Sequence, residues 1–147
     1  MKRLAVAGAC LFGASAAFVL ALRFLPGDVV DSTYPTLESA RRDHLFERGW
    51  LPDILPPSSV QIAVSNNLDL NTSRGSFEIQ PREWGLLEAK LARGALSAPF
   101  VDWERTVAKH RERGFHPWHH ASSDTRWVLF CKPEVGRCEY VMWMPRA

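Results

Sequence analysis

The sequence predicts an α+β protein: an N-terminal transmembrane helix followed by a small domain of two antiparallel β-hairpins packed with about three helices. Three observations carry this expectation. An unbroken apolar run fills Leu4 to Leu22, two stretches alternate apolar and polar residues around turn signals, and three segments repeat apolar residues at helical spacing. The chain has 147 residues, 46% hydrophobic and 23% charged, with a formal net charge of +2, which suits one modest domain rather than two. Such a balance argues against wholesale disorder, collagen-like repetition or a coiled-coil rod.

Met1, Lys2 and Arg3 precede the apolar run, and Arg23, Pro26 and Gly27 close it. Its nineteen residues, at a helical rise of about 1.5 Å each, cover roughly the 30 Å hydrocarbon layer of a bilayer. The run reads as a retained single-pass anchor over residues 1–23. A cleaved secretory signal is the alternative, with small-residue cleavage patterns at Val19-Leu20-Ala21 and Ser15-Ala16-Ala17. The length favours the anchor, because a signal core usually spans only about 7 to 15 residues. Lipidation at Cys10 has too short an apolar core before it, Leu4 to Val6. Ala5, Ala9, Gly13, Ala17 and Ala21 share one helical stripe along which two copies could approach. Positive charge before the run places the N-terminus inside and the body outside a cytoplasmic membrane. Without Lys2, Arg3 and Arg23, 15 basic residues face 16 acids, so the exported part gives no basic footprint for nucleic acid.

Residues 24–34 read as a tether, because Pro26 and Gly27 stop the helix and Asp28 and Asp31 seek water. The extracytoplasmic domain then occupies 35–147. Thr36 caps a first helix carrying Leu37, Ala40, His44 and Leu45, and Gly49 stops it so that Trp50 packs back on Leu45. Pro52, Pro56 and Pro57 forbid regular structure after it, yet Trp50, Leu51, Ile54 and Leu55 are too apolar for water, which predicts an extended strap plugging the core. Val60, Ile62, Val64, Leu68 and Leu70 alternate as a strand that Asn66 interrupts. Its return carries Phe77 and Ile79, with Leu70 facing Phe77, Leu68 facing Ile79, Asp69 beside Glu78 and the turn at Ser73-Arg74. Pro81 opens a second helix bearing Trp84, Leu87 and Leu91 and ending at Gly94. A third runs from about Asp102 to Arg113 before Gly114, and His116 to His120 follow as a loop or short extended edge.

The second hairpin joins Thr125–Lys132 to Arg137–Met144 through Pro133 to Gly136. Pairing Cys131 with Cys138 aligns Leu129 with Tyr140, Trp127 with Met142 and Val128 with Val141. Both of its faces are then apolar, so it is either sandwiched inside the domain or half covered by a partner. Opposed strand cysteines are close enough to bridge, and an exported chain makes the disulfide the expected state.

His110, His116, His119 and His120 invite a zinc reading, but no HExxH occurs and the adjacent histidines of a strand point to opposite sides. Asn67, Asp69, Asn71, Ser73 and Glu78 imitate a calcium loop in which Thr72 replaces the required glycine. No metal, cofactor or catalytic residue is therefore assigned. Phosphate-loop, dinucleotide and nucleophile-elbow signatures are missing from the sequence. Among six tryptophans, Trp84 and Trp103 sit on helical stripes. The candidate binding surface is Trp118, His116, His119, His120 and Trp143.

Phe46-Glu47-Arg48-Gly49-Trp50-Leu51-Pro52, Leu55-Pro56-Pro57-Ser58, Ile62 and Asn67-Leu68-Asp69-Leu70-Asn71 up to Phe77 together resemble a pattern of small bacterial exported or membrane-anchored envelope proteins. The resemblance implies that location and supplies no activity or catalytic residue. The resulting expectation is a non-enzymatic interaction or binding module, held in the bilayer through residues 4–22, with an envelope protein or a second copy as partner. The alternatives are a secreted ligand-binding domain, or a small hydrolase pairing His119 with Asp124 or Asp69 with Glu78.

Overall fold

The computed structural model describes residues 28–145. The Leu4–Leu22 segment, with its anchor, cleavage and stripe readings, lies outside them. Among the described residues no helix is long and apolar enough to cross a membrane. The chain runs β1 (Val29–Thr36), α1 (Leu37–Arg42), β2 (Val60–Asn67), β3 (Thr72–Glu78), a 3-10 turn (Pro81–Glu83), α2 (Trp84–Glu88), β4 (Ala92–Arg93), α3 (Trp103–Glu112), β5 (His116–Ala121), β6 (Arg126–Lys132) and β7 (Arg137–Trp143). The seven strands form a single antiparallel sheet in the order β1-β2-β3-β7-β6-β5-β4. The two expected hairpins are thus parts of one sheet, joined where β3 pairs β7.

Pairing of β6 with β7 follows the expected register, Cys131 opposite Cys138 and Leu129 opposite Tyr140, and the two cysteines are bridged. Their hairpin is apolar on both sides because both sides are covered from within the domain. On one face Trp127, Leu129, Tyr140 and Met142 join a core with Leu37, Leu45, Leu51, Leu55, Phe77 and Leu87. On the other, Val128, Phe130 and Trp143 pack with Trp103 and Phe115 under α3.

The first face is roofed by α1, the proline-rich strap and α2. Thr36 caps α1 by accepting from Ser39 N, while Gly49 N and Trp50 N close the following turn on Phe46 O and Leu45 O. The helix itself ends at Arg42, short of the anticipated stop, and Gly49, at φ +71°, closes the turn that follows it. Leu51, Ile54 and Leu55 of the strap are buried as anticipated. Tyr140 reaches beneath the strap, its hydroxyl 3.3 Å from both Ser73 Oγ and the Trp50 carbonyl. Burial pushes that hydroxyl above its usual pKa, against the opposing pull of its Ser73 hydrogen bond. Room for the ring comes from Gly75, where a Cβ would lie 2.8 Å from Tyr140 Cε1 and 2.0 Å from the Ala63 carbonyl oxygen.

Several expectations are corrected. Val29–Thr36 pairs along β2, so the stretch read as a tether is largely the outermost strand. In the first hairpin Asn66 faces Ser73 and Asn67 faces Thr72, which puts the turn at Leu68 to Asn71 rather than Ser73-Arg74. Asn67 Oδ1 accepts from Leu70 N at 3.0 Å and Asn71 takes φ +48°, two contributions that fix a turn. Leu68 and Leu70 consequently project into solvent instead of facing Ile79 and Phe77. Glu78 sits at the far end of β3, about 20 Å from the turn bearing Asp69. Val60, expected in the core, is exposed because β2 carries one extra residue, with Gln61 at φ +51°, between Val60 and Ala63. The second helix ends early at Glu88, and Ala92 and Arg93 become β4.

α3 is clasped to the sheet by His110 and Arg113. The His110 ring stacks on Phe130 at 3.9 Å and its Nε2 lies 3.1 Å from Glu139, whose carboxylate also accepts from Arg113 at 2.7 Å. Burial alone would raise the Glu139 carboxyl pKa, but the bond and charge of Arg113, aided by His110, hold it below the usual value. A depressed carboxylate stabilises the fold above the ordinary Glu range, near about pH 4.3, and loses that contribution as pH falls through its lowered folded value. Thermal unfolding at pH 3 and pH 7 should therefore give a smaller gain in Tm for Glu139→Gln than for the wild type; equal gains would contradict the clasp. Gly75→Ala should cost about 1–3 kcal/mol or more in urea unfolding by overpacking against Tyr140, and an unchanged midpoint would contradict that contact.

Candidate binding cleft at the β5 edge

β4 is only two residues long, Ala92 opposite His119 and Arg93 opposite Trp118. Beyond it Gly94 donates to the Pro117 carbonyl at 2.9 Å and, at φ +100°, turns the chain over the sheet edge. Ala95, Leu96 and Phe100 then pack on the opposite face beside Trp103. Departure of the chain at Gly94 leaves the β5 edge at His116 and Pro117 without a neighbouring strand. A cleft of about 570 Å³ opens there, lined by Trp84, Glu88, Arg93, Arg111, His116 and Trp118.

Its aromatic wall is built by two elements. Trp84, at the head of α2, meets Trp118 of β5 edge-on at 4.7 Å, and His116 stands edge-on to the same Trp118 at 6.1 Å. The rim is a fixed polar pair. Trp84 Nε1 donates to Glu88 Oε2 at 3.0 Å, possible because the two residues are one helical turn apart, and Arg93 donates to Glu88 Oε1 at 3.1 Å. Both carboxylate oxygens are therefore engaged. An indole wall beside such a rim suits a ligand with one apolar and one hydroxylated side, such as a sugar ring.

Of the residues singled out from sequence, His116 and Trp118 come together in this cleft. Trp118 contributes an edge and is otherwise 5% exposed, its Nε1 without a protein partner. His119 lies on the other face of β5, 3.0 Å from the Gly94 carbonyl, as alternation along a strand requires. His120 returns to the first face, tilted on Trp127 at 5.6 Å beside a separate depression that Asp124 also lines. Trp143 is 4% exposed in the core under α3, against Phe100 and Trp103. Trp84, Glu88 and Arg93 escape the sequence reading because Trp84 satisfies a helical core stripe equally well. The spacing of Trp84 and Glu88 is the one local signal that could have marked them. Among the described residues no three His, Cys, Asp or Glu side chains converge as a metal site would require.

A family model described as the YbbD head domain matches residues 28–78. The match covers about a third of the 147 residues, from the start of β1 to the end of β3, and overlaps the Phe46 to Phe77 stretch that carries the sequence resemblance. It stops short of the cleft and of the disulfide hairpin. No curated protein and no solved structure matches the chain.

Replacing Trp84 separates the two roles of its indole. Trp84→Phe keeps an aromatic wall and forfeits the bond to Glu88, an expected loss of about 1 kcal/mol. Trp84→Ala should cost more, because it also uncovers Trp118. Equal urea midpoints for the two variants would contradict the packing described for the wall.

Proposed function

We propose that the chain is a membrane-anchored, exported module that works by binding and not by catalysis, its partner being an envelope protein or a second copy. The observation that carries the reading is the Cys131–Cys138 bridge across the middle of the sheet, in a chain headed by nineteen apolar residues after Lys2 and Arg3. Disulfides persist in oxidising compartments outside the cytosol, and an apolar run of that length suits retention in the bilayer. The N-terminal positive charges favour an orientation in which the domain stands on the outer side. The hydrolase alternative loses its pairs: Asp69 and Glu78 lie at opposite ends of β3, and His119 and His120 leave β5 on opposite faces, with Asp124 beside the latter.

A second reading, a ligand-binding domain released by signal cleavage, is supported by the Trp84–Trp118 cleft. Its ligand class would be an envelope glycan. Soluble cell-wall oligosaccharides should then change tryptophan fluorescence saturably, with the change lost in Trp84→Ala; no saturable change at millimolar oligosaccharide would remove this reading.

Intact mass decides between anchor and signal. Protein recovered from native membranes and alkylated without reduction should carry the full-length mass and one modified thiol, Cys10. A mass short by about 20 residues in the soluble exported fraction would overturn the anchor, and three modifiable thiols on the full chain would overturn export.

A further inference from the structure

The end of the sheet from which β1 starts carries an apolar tip that the domain's own core does not use. Val29 and Val30 are 50% and 41% exposed, and Leu68 and Leu70 of the β2–β3 turn are 47% and 62% exposed. Backbone pairing gathers the four at one end of the sheet, since Val29 pairs with Asn67, Val30 with Asn66, and Leu68 N donates to the Asp28 carbonyl at 2.8 Å, with Val29 and Val30 on opposite faces of that end. Beside them a cleft of about 430 Å³ is lined by Val30, Leu68, Trp50, Arg42 and Arg48. Arg48 stacks over the Trp50 ring at 5.1 Å. Neither Arg42 nor Arg48 forms an ion pair among the described residues, where the salt bridges involve Arg41, His44, Arg93, Arg105, His110 and Arg113.

Where the preceding chain ends decides what can cover this tip. The apolar run stops at Leu22 and β1 starts at Val29, leaving Arg23 to Asp28 between them. Six residues reach at most about 20 Å when fully extended. An anchor in residues 4–22 thus confines this end of the domain to the neighbourhood of the lipid surface. Apolar side chains bordered by Arg and Trp are the composition that settles at the boundary between headgroups and acyl chains.

We propose that the Val29-Val30 and Leu68-Asp69-Leu70 tip docks on the phospholipid bilayer that holds the chain's own anchor, the leucines entering the interface while Arg42 and Arg48 face lipid phosphates. Asp28 and Asp69 remain at headgroup level, so a mainly zwitterionic surface serves. The inference rests on the anchor reading. It adds a second, peripheral membrane contact that fixes the domain's orientation and turns the Pro133 to Gly136 end away from the lipid.

The test uses full-length protein carrying Cys10→Ala, with the Cys131–Cys138 bridge intact, reconstituted in phosphatidylethanolamine–phosphatidylglycerol vesicles. A fluorophore is placed through Asp69→Cys or, at the opposite end, Val135→Cys, and shallow nitroxide-labelled lipids serve as quenchers. Vesicle flotation with quenching at 69 several-fold stronger than at 135 is expected, as is its fall to the level at 135 when Leu68→Ser and Leu70→Ser are added. Flotation with equal, weak quenching at both positions would overturn docking and leave the anchor standing. Strong quenching at 69 that survives the two serines would overturn it as well, because the short tether alone would then hold the tip close. Failure of the chain to float would overturn both the anchor and the docking.

Discussion

The β6–β7 hairpin is the element on which the other layers depend, because it is buried on both faces. Trp127, Leu129, Tyr140 and Met142 form the floor for the strap, α1 and α2, while Val128, Phe130 and Trp143 form the floor for α3. Antiparallel sheets often leave one face to water, and covering both requires the chain to visit both sides. Here it does so by leaving β4 at Gly94, where a positive φ carries the backbone over the edge. The Cys131–Cys138 bridge holds the two floor strands in one register. A one-residue slip would exchange the two faces and leave both layers without their cores.

The same route produces the candidate site. Crossing the edge after only two residues of β4 exposes the end of β5, and α2, still on the first face, supplies Trp84 and Glu88 beside it. The cleft is thus a consequence of how the second layer is reached. On the other flank, the shared end of β1 and the β2–β3 turn bears the exposed Val29, Val30, Leu68 and Leu70. The cleft and the apolar tip therefore occupy different edges of the sheet.

Local signals made much of this legible in the sequence. Opposed cysteines and apolar residues on both strand faces give the β6–β7 register, Thr36 marks the start of the first helix, and the three prolines reveal the strap. What escaped was set by distant partners. β1 looks like a tether because its Asp31, Ser32 and Thr33 are polar and the partner that makes it a strand begins 24 residues after its own end. β4 is too short to have a period, and β5, with its Pro117 and three histidines, has little strand propensity. The first hairpin misled for a different reason: Leu68 and Leu70 continue an apolar alternation through a turn, so a pattern set by an exposed tip was read as core. Trp118 and Trp143 part company in the structure, the first lending an edge to the β5 cleft and the second packing into the core under α3, a difference that composition alone does not reveal.

The doubly covered hairpin should be the last part of the domain to open. Native-state amide hydrogen exchange of the oxidised protein tests it directly. Amides in the interiors of β6 and β7 should exchange slowest and only through global unfolding, whereas the outermost strand β1 should exchange through a smaller local opening. Equal protection of β1 and β7, or faster exchange in β6 and β7 than in β1 and β2, would contradict it.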